Sequence, residues 1–307
     1  MDENKTGMRF MTRDAIKYLA SVAMTLDHIA YIFLEPLLLA YGEAEAPVST
    51  ATINLLYRLF LCIGTFTGPV MMYFLIEGYF YTHDVRGYAK RLLLFALLSQ
   101  LPFSLAIGGF FGNMLFTLLI CLGVLYVYDH VSDRGLQKLL YVLLFFASLF
   151  TDWNFLSVPL VLFLRPAFHP AEQKPCGYGE RGTVGDRYEW DESVANVVTA
   201  IEHGAVRQQT IDVNPTNVHT KVPRFYVDSA EQRRGMLKCV AYFIVVSCLT
   251  KGMFEGMTEV LGMVLGFVCI ARFYNGQQAK THRKFHKYFF YIYYPAHLLV
   301  LYALHVM

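Results

Sequence analysis

Apolar runs of about 18 or more residues recur along this 307-residue chain, and a run of that length crosses a ~30 Å hydrocarbon core as a single helix. This constrains the chain more than any other feature. Lipid offers no hydrogen bonds, so each run must satisfy its own backbone, as a helix does. The composition agrees, with 55% of residues hydrophobic and 16% charged, where soluble domains carry about a quarter charged residues. The chain reads as an all-α, polytopic transmembrane helical bundle. The runs predict about nine spans, near 14–41, 52–82, 87–108, 113–130, 137–152, 154–166, 236–250, 256–274 and 286–306. The sixth and seventh are short, which leaves eight to ten open.

Residues 1–165 then hold spans one to six, 166–233 form a polar insert, and 234–307 hold spans seven to nine. The net charge of +2 hides an asymmetry, because the insert carries ten acidic against seven basic side chains. The remaining basic residues cluster at span ends, a topological pattern that gives no indication of nucleic-acid binding. Clusters at Lys5–Lys17, Arg86–Arg91, Arg134–Lys138, Arg233–Lys238 and Lys280–Lys287 all fall on one side of a nine-span bundle. The positive-inside rule makes that side cytoplasmic, with the insert on it and the C-terminus outside. The N-terminal run contains Asp27, is too long for a secretory signal and lacks a small-residue cleavage site. It reads as a retained first helix.

Six cysteines are present, five of them in apolar segments, with Cys176 alone in a polar stretch. No CxxC or CxxH spacing occurs, so no metal site is expected. Within the insert, GYGERGTVGD is glycine-rich but matches no phosphate-loop pattern, ESVANVVTAIEHGAVRQ has a short amphipathic helical period, and KVPRFYVDS reads as a strand.

Ionisable residues inside spans cost about 2.5–3.5 kcal/mol each on insertion scales, so each needs a reason. Asp27 and His28 lie side by side near the middle of the first span. Successive helical residues diverge by about 100°, so each needs a partner from another helix. Arg58 and Glu77 lie in the second span, which breaks at GTFTGP (64–69). Asn113 and Thr117 open the fourth, Asp152 sits near the outer surface, and His297 follows Pro295 in the last. Each also has a plain structural reading, as a cross-helix hydrogen bond or interfacial anchor. The tyrosines of 288–294 read as an aromatic belt. Arg86, Lys90 and Arg91 suit the phosphates of a nucleotide-like donor, or simple topology.

Together, MTLDHIAYIF, YRLFLCIGTFTGPVMMYFLIEGYFYTHDVRGYAKRLLLFALLSQLPF, NMLFTLLICLG, DWNFL and KYFFYIYYPAHLLVLYAL resemble the TraX family of integral membrane proteins, over roughly 14–165 and 236–305. Its founding member is associated with N-terminal acetylation of F-pilin. The family's polar positions fall on Asp27, His28, Arg58, Glu77, Thr82, Arg91, Gln100, Asn113, Thr117, Asp152 and His297. Two departures stand out: CIGTFTGPVMM lacks an arginine after its glycine, and the insert is longer than the family's connection.

The resemblance implies a membrane acyltransferase with acetyl-CoA as co-substrate, modifying an amine or hydroxyl of a surface-destined protein or glycan. His28 would be the general base, oriented by Asp27 or another carboxylate, with His297 as the alternative base or acyl carrier. Asn113 or Arg58 would face the developing oxyanion, and Arg86, Lys90 and Arg91 the CoA phosphates. Arg58, Glu77, Asn113, Thr117 and Asp152 would bind the acceptor. A proton-coupled transporter using Asp27, His28, Glu77 and His297 as a relay is a second reading. A non-catalytic membrane assembly partner is a third.

Overall fold

The structure, a computed structural model, describes residues 9–41, 50–109, 111–170, 225–279 and 281–307. Helix α1 (Arg13–Ile29) opens on Thr12, whose hydroxyl accepts the Ala15 N–H. It runs through a π-helical turn, Ala30–Leu34, into α2 (Glu35–Tyr41). Helices α3 (Thr50–Gly64) and α4 (Thr67–Tyr81) meet at a break over Thr65–Phe66, where the sequence predicts one. Helix α5 (Val85–Ile107) is capped by the Asp84 carboxylate and ends at Gly108, which adopts φ 78°. Helices α6 (Met114–His130), α7 (Arg134–Ser148) and α8 (Asn154–Leu164) follow, then α9 (Ser229–Lys251), α10 (Met253–Phe273) and α11 (Arg283–Val306).

These helices make nine continuous stretches among the described residues, one for each predicted span. Five of the stretches are long and apolar enough to cross a membrane: Arg13–Ala40, Thr50–Tyr81, Val85–Ile107, Gly256–Phe273 and Tyr288–Val306. Met114–His130 and Asn154–Ala167 are apolar but shorter. Leu93, Leu94, Leu97, Leu98 and Leu101 of α5 stand exposed, an apolar surface suited to lipid.

Helix α4 is the axis of the bundle. Eleven of its fifteen residues are buried, and it packs against α1, α6, α8 and α10. Small residues permit this closeness. A side chain at Gly262 of α10 would collide with the Cys62 carbonyl, and one at Gly266 would lie 3.1 Å from the Phe66 carbonyl. These two glycines, four residues apart, seat α10 on the α3–α4 break. At the same break, Gly64 abuts the Asp27 side chain.

Where the polar insert leaves and rejoins the bundle, β1 (Phe168–Pro170) pairs antiparallel with β2 (Phe225–Val227), joining Phe168 to Val227 and Pro170 to Phe225. Strand β2 falls within the predicted KVPRFYVDS strand. Arg165 anchors the junction, donating to the Phe168 carbonyl at 2.6 Å and to Asp129 at 2.5 Å, with its guanidinium over Phe80. The predicted amphipathic helix, the glycine-rich run and Cys176 lie outside the described residues. The other five cysteines are free, four of them buried.

Candidate functional site

Asp27 and His28 come at the last turn of α1, immediately before the π-helical turn. A π turn absorbs one extra residue and shifts the phase of the helix beyond it, a device common at functional sites. The two side chains take different directions, as adjacent helical residues must. His28 is 5% exposed and hydrogen-bonds His297 of α11, Nδ1 to Nε2 at 2.7 Å. Asp27 is turned to Gly64, where only a glycine leaves room for it. The structure therefore corrects the expectation that a carboxylate orients His28: the partner of its Nδ1 is an imidazole.

The hydrogen-bond chain fixes the protons of two neutral rings. His297 Nδ1 lies 2.9 Å from the Tyr293 carbonyl, which only accepts, so Nδ1 carries the hydrogen. His297 Nε2 is then a lone pair, and His28 Nδ1–H donates to it. His28 Nε2 is left unprotonated, with no hydrogen bond from any described residue. Stacking holds this arrangement. The rings of His28 and His297 lie 5.0 Å apart at 15°, and those of His297 and Tyr293 lie 5.0 Å apart at 12°. Thr25 donates to the Ser21 carbonyl, so Tyr293 donates to Thr25, at 2.6 Å. Tyr294, 3% exposed, accepts from the Met114 N–H. Tyr293 and Tyr294 thus serve the bundle interior and are not part of an aromatic belt.

His28 lines a cavity of about 540 Å³, together with Asp27, Tyr31, Trp153, Asp152 and Glu259. Asp152 lies between α7 and α8. The Trp153 ring lies on Gly68, where a Cβ would clash with it. Among the described residues, one basic group, the His28 ring, thus shares a space of ligand size with three carboxyl groups.

The other predicted residues fall elsewhere. Asn113 is wholly buried and caps α6. Its amide donates to the Ala96 carbonyl at 2.8 Å and to Gln100 at 3.1 Å, while its oxygen accepts the Leu115 N–H. Both amide hydrogens are engaged, so Asn113 has none for an oxyanion. Thr117 is also fully buried and accepts the Trp153 N–H at 3.5 Å. Arg58 does not line the cavity, and its Nε donates to Asn54 one turn back. Glu77 is 2% exposed and takes a 2.7 Å hydrogen bond from Tyr274. Arg91 lines a second cavity, while Arg86 and Lys90 are exposed and line neither. Sequence reasoning missed Glu259 and Tyr31. Glu259 is an ionisable residue in an apolar span, the criterion that singled out Asp27. Tyr31 stands one turn after Asp27, the spacing that shares a helix face.

A profile of the TraX protein family matches residues 12–173 and 194–305, nearly the whole chain and every residue of the site. The chain belongs to the TraX family. The stretch between the two matched segments, 174–193, falls inside the insert. Among curated proteins, a probable fimbrial assembly protein, FimC of serogroup H1 from Dichelobacter nodosus, is 30% identical over 175 residues. That match spans 53% of this chain and 65% of the relative, so the chain covers less than two thirds of that relative's length. No solved structure matches. With five helices able to cross a bilayer, this TraX-family chain is a multi-pass membrane protein.

Proposed function

We propose that this protein is a membrane acyltransferase that moves an acetyl group from acetyl-CoA to an amine or hydroxyl of a surface-destined acceptor, such as a pilin-like N-terminus or a cell-surface glycan. One observation carries the reading: the His28–His297 pair leaves an unprotonated Nε2 on the ring that lines a ligand-sized cavity. A base so placed removes the proton of the acceptor N–H or O–H as it attacks the thioester carbonyl. The new C–N or C–O bond forms, the C–S bond breaks, and the thiolate takes the proton back from His28. Positive charge that builds on His28 is shared through its Nδ1–H with His297. His28 is thus the base and His297 a positioning residue.

The similarity to a probable fimbrial assembly protein supports a coarser form of the reading, a role in building a surface fibre. The basic clusters support a cytoplasmic N-terminus in a plasma or inner membrane, with the C-terminus outside.

The test uses purified protein in nanodiscs with acetyl-CoA and two acceptor probes, a synthetic peptide bearing a free N-terminal amine and glucosamine. Mass spectrometry reads the acetylated product. Acetylation by the wild type, reduced about 10²–10⁴-fold in a folded His28→Ala variant, is expected. Equal product from His28→Ala would overturn the assignment of the base. Substrate flux into proteoliposomes with no covalent product would favour a transporter.

A further inference from the structure

Below the His28 cavity, toward the start of α1, lies a second cavity of about 330 Å³. Three cations line it: Arg13 and Lys17 from α1, and Arg91 from α5. Among the described residues no aspartate or glutamate lines it. Its remaining polar groups are mostly donors or hydroxyls, among them Thr82, Tyr88 and Gln278. The nearest carboxylates, Asp14 and Glu77, lie outside the lining but close enough to act electrostatically on Lys17. Asp14 accepts the Ala279 N–H at 2.8 Å, and Glu77 accepts from Tyr274.

Each of the three cations lies against an aromatic ring, and Arg91 also hydrogen-bonds the Tyr291 side chain. Arg13 lies over Tyr81, Lys17 over Phe290 at 5.3 Å, and Arg91 over Tyr88. The Nε atoms of Arg13 and Arg91 are buried and have no hydrogen-bond partner. Concentrating like charges in a partly buried space, with donors unused, costs free energy that an anion recovers. Arg86 and Lys90, from the same first turns of α5, are exposed and line neither cavity, so topology alone does not place Arg91 here.

We propose that this cavity is a binding site for a phosphate- or pyrophosphate-bearing ligand, held by Arg13, Lys17 and Arg91. Met24 and Met114 line both cavities, so two flexible thioether side chains form their common wall. Along α1, Lys17 and His28 are 11 residues apart, or about 17 Å at ~1.5 Å per residue. A ligand with its anionic head at Lys17 reaches His28 only if its reactive group sits at the end of a long arm, as in a phosphopantetheine thioester. Identifying the anion with the acyl donor rests on the acyl-transfer reading; the anion site itself does not.

The test is calorimetry on the full-length protein in phosphatidylcholine nanodiscs, using CoA, 3′,5′-ADP and pantetheine as probes. Binding of CoA and 3′,5′-ADP is expected, weakened about tenfold or more by Arg13→Gln, Lys17→Gln or Arg91→Gln. Arg86→Gln and Lys90→Gln should bind as the wild type does, and Arg91→Lys should retain part of the affinity. Thermal melting of each variant separates lost binding from lost fold. No response of folded wild type to either phosphorylated probe or to an anionic lipid, or equal weakening by Arg86→Gln, would overturn the site. A parallel titration in nanodiscs containing phosphatidylglycerol distinguishes a lipid headgroup. Thermal protection of the wild type by that lipid, with no nucleotide response, would reassign the anion to lipid and overturn the donor assignment. Nucleotide binding by a protein that never acetylates would leave the site standing and remove the acyl-transfer reading.

Discussion

At the scale of residues, the informative fact is that two buried imidazoles share one hydrogen bond whose direction is fixed by a backbone carbonyl. His297 cannot reverse its tautomer without pointing a lone pair at the Tyr293 carbonyl, and His28 follows from it. Under the acyl-transfer proposal this divides between two histidines the roles that the sequence leaves open. It also predicts an order among substitutions at 297. His297→Gln keeps an acceptor that the His28 Nδ1–H can reach, whereas His297→Leu leaves that buried donor unsatisfied, at a cost of about 1–3 kcal/mol. Leucine should therefore lower both the melting temperature and kcat, and glutamine should restore much of each with little change in KM. Equal kcat for the two variants would show that His297 only fills space. The ionisable positions could be found in the sequence because each is costly in a span. Their partners could not, because His28 and His297 are 269 residues apart and no local pattern joins them.

The elements were legible for a different reason. Long apolar runs, the Gly–Pro break and Asn113 at the opening of the fourth span are local signals, and each marks a helix boundary near where the structure places it. The π-helical turn after His28 has no such signal, because Ala30–Leu34 has the apolar composition of any span. Close helix approaches were hidden as well: Gly262 and Gly266 look like any glycines in an apolar helix until Cys62 and Phe66 lie against them. They predict a contrast. Gly262→Val forces a side chain into a backbone carbonyl that cannot turn aside, and should cost about 1–3 kcal/mol or more by overpacking. Gly123→Ala on α6 meets only Leu144, no closer than 3.5 Å, and should be neutral or stabilising by roughly 0.5–1 kcal/mol through helix propensity. Thermal melting in detergent measures both. A Gly262→Val protein as stable as wild type would mean that α10 does not depend on this close seat.

At the scale of the molecule, two cavities meet at Met24 and Met114, and α1 supplies two of the three cations of the lower and, at the upper, His28, the base of the acyl-transfer proposal. The polar insert is tied to this bundle where β1 pairs with β2, so Pro170 and Phe225 are neighbours across a ladder. A short loop of about 2–5 residues closes such a pair without strain. Replacing residues 171–224 with a glycine-containing tetrapeptide should therefore leave a bundle that inserts, purifies and melts near the wild-type temperature. The residues 174–193 unmatched by the family lie within that deletion, whereas every described residue of the two cavities lies outside it. The shortened protein should then still bind 3′,5′-ADP as the full chain does. A protein that no longer accumulates in the membrane would make the insert part of the folding unit. One that folds but loses nucleotide binding would place a necessary part of the lower site within 171–224.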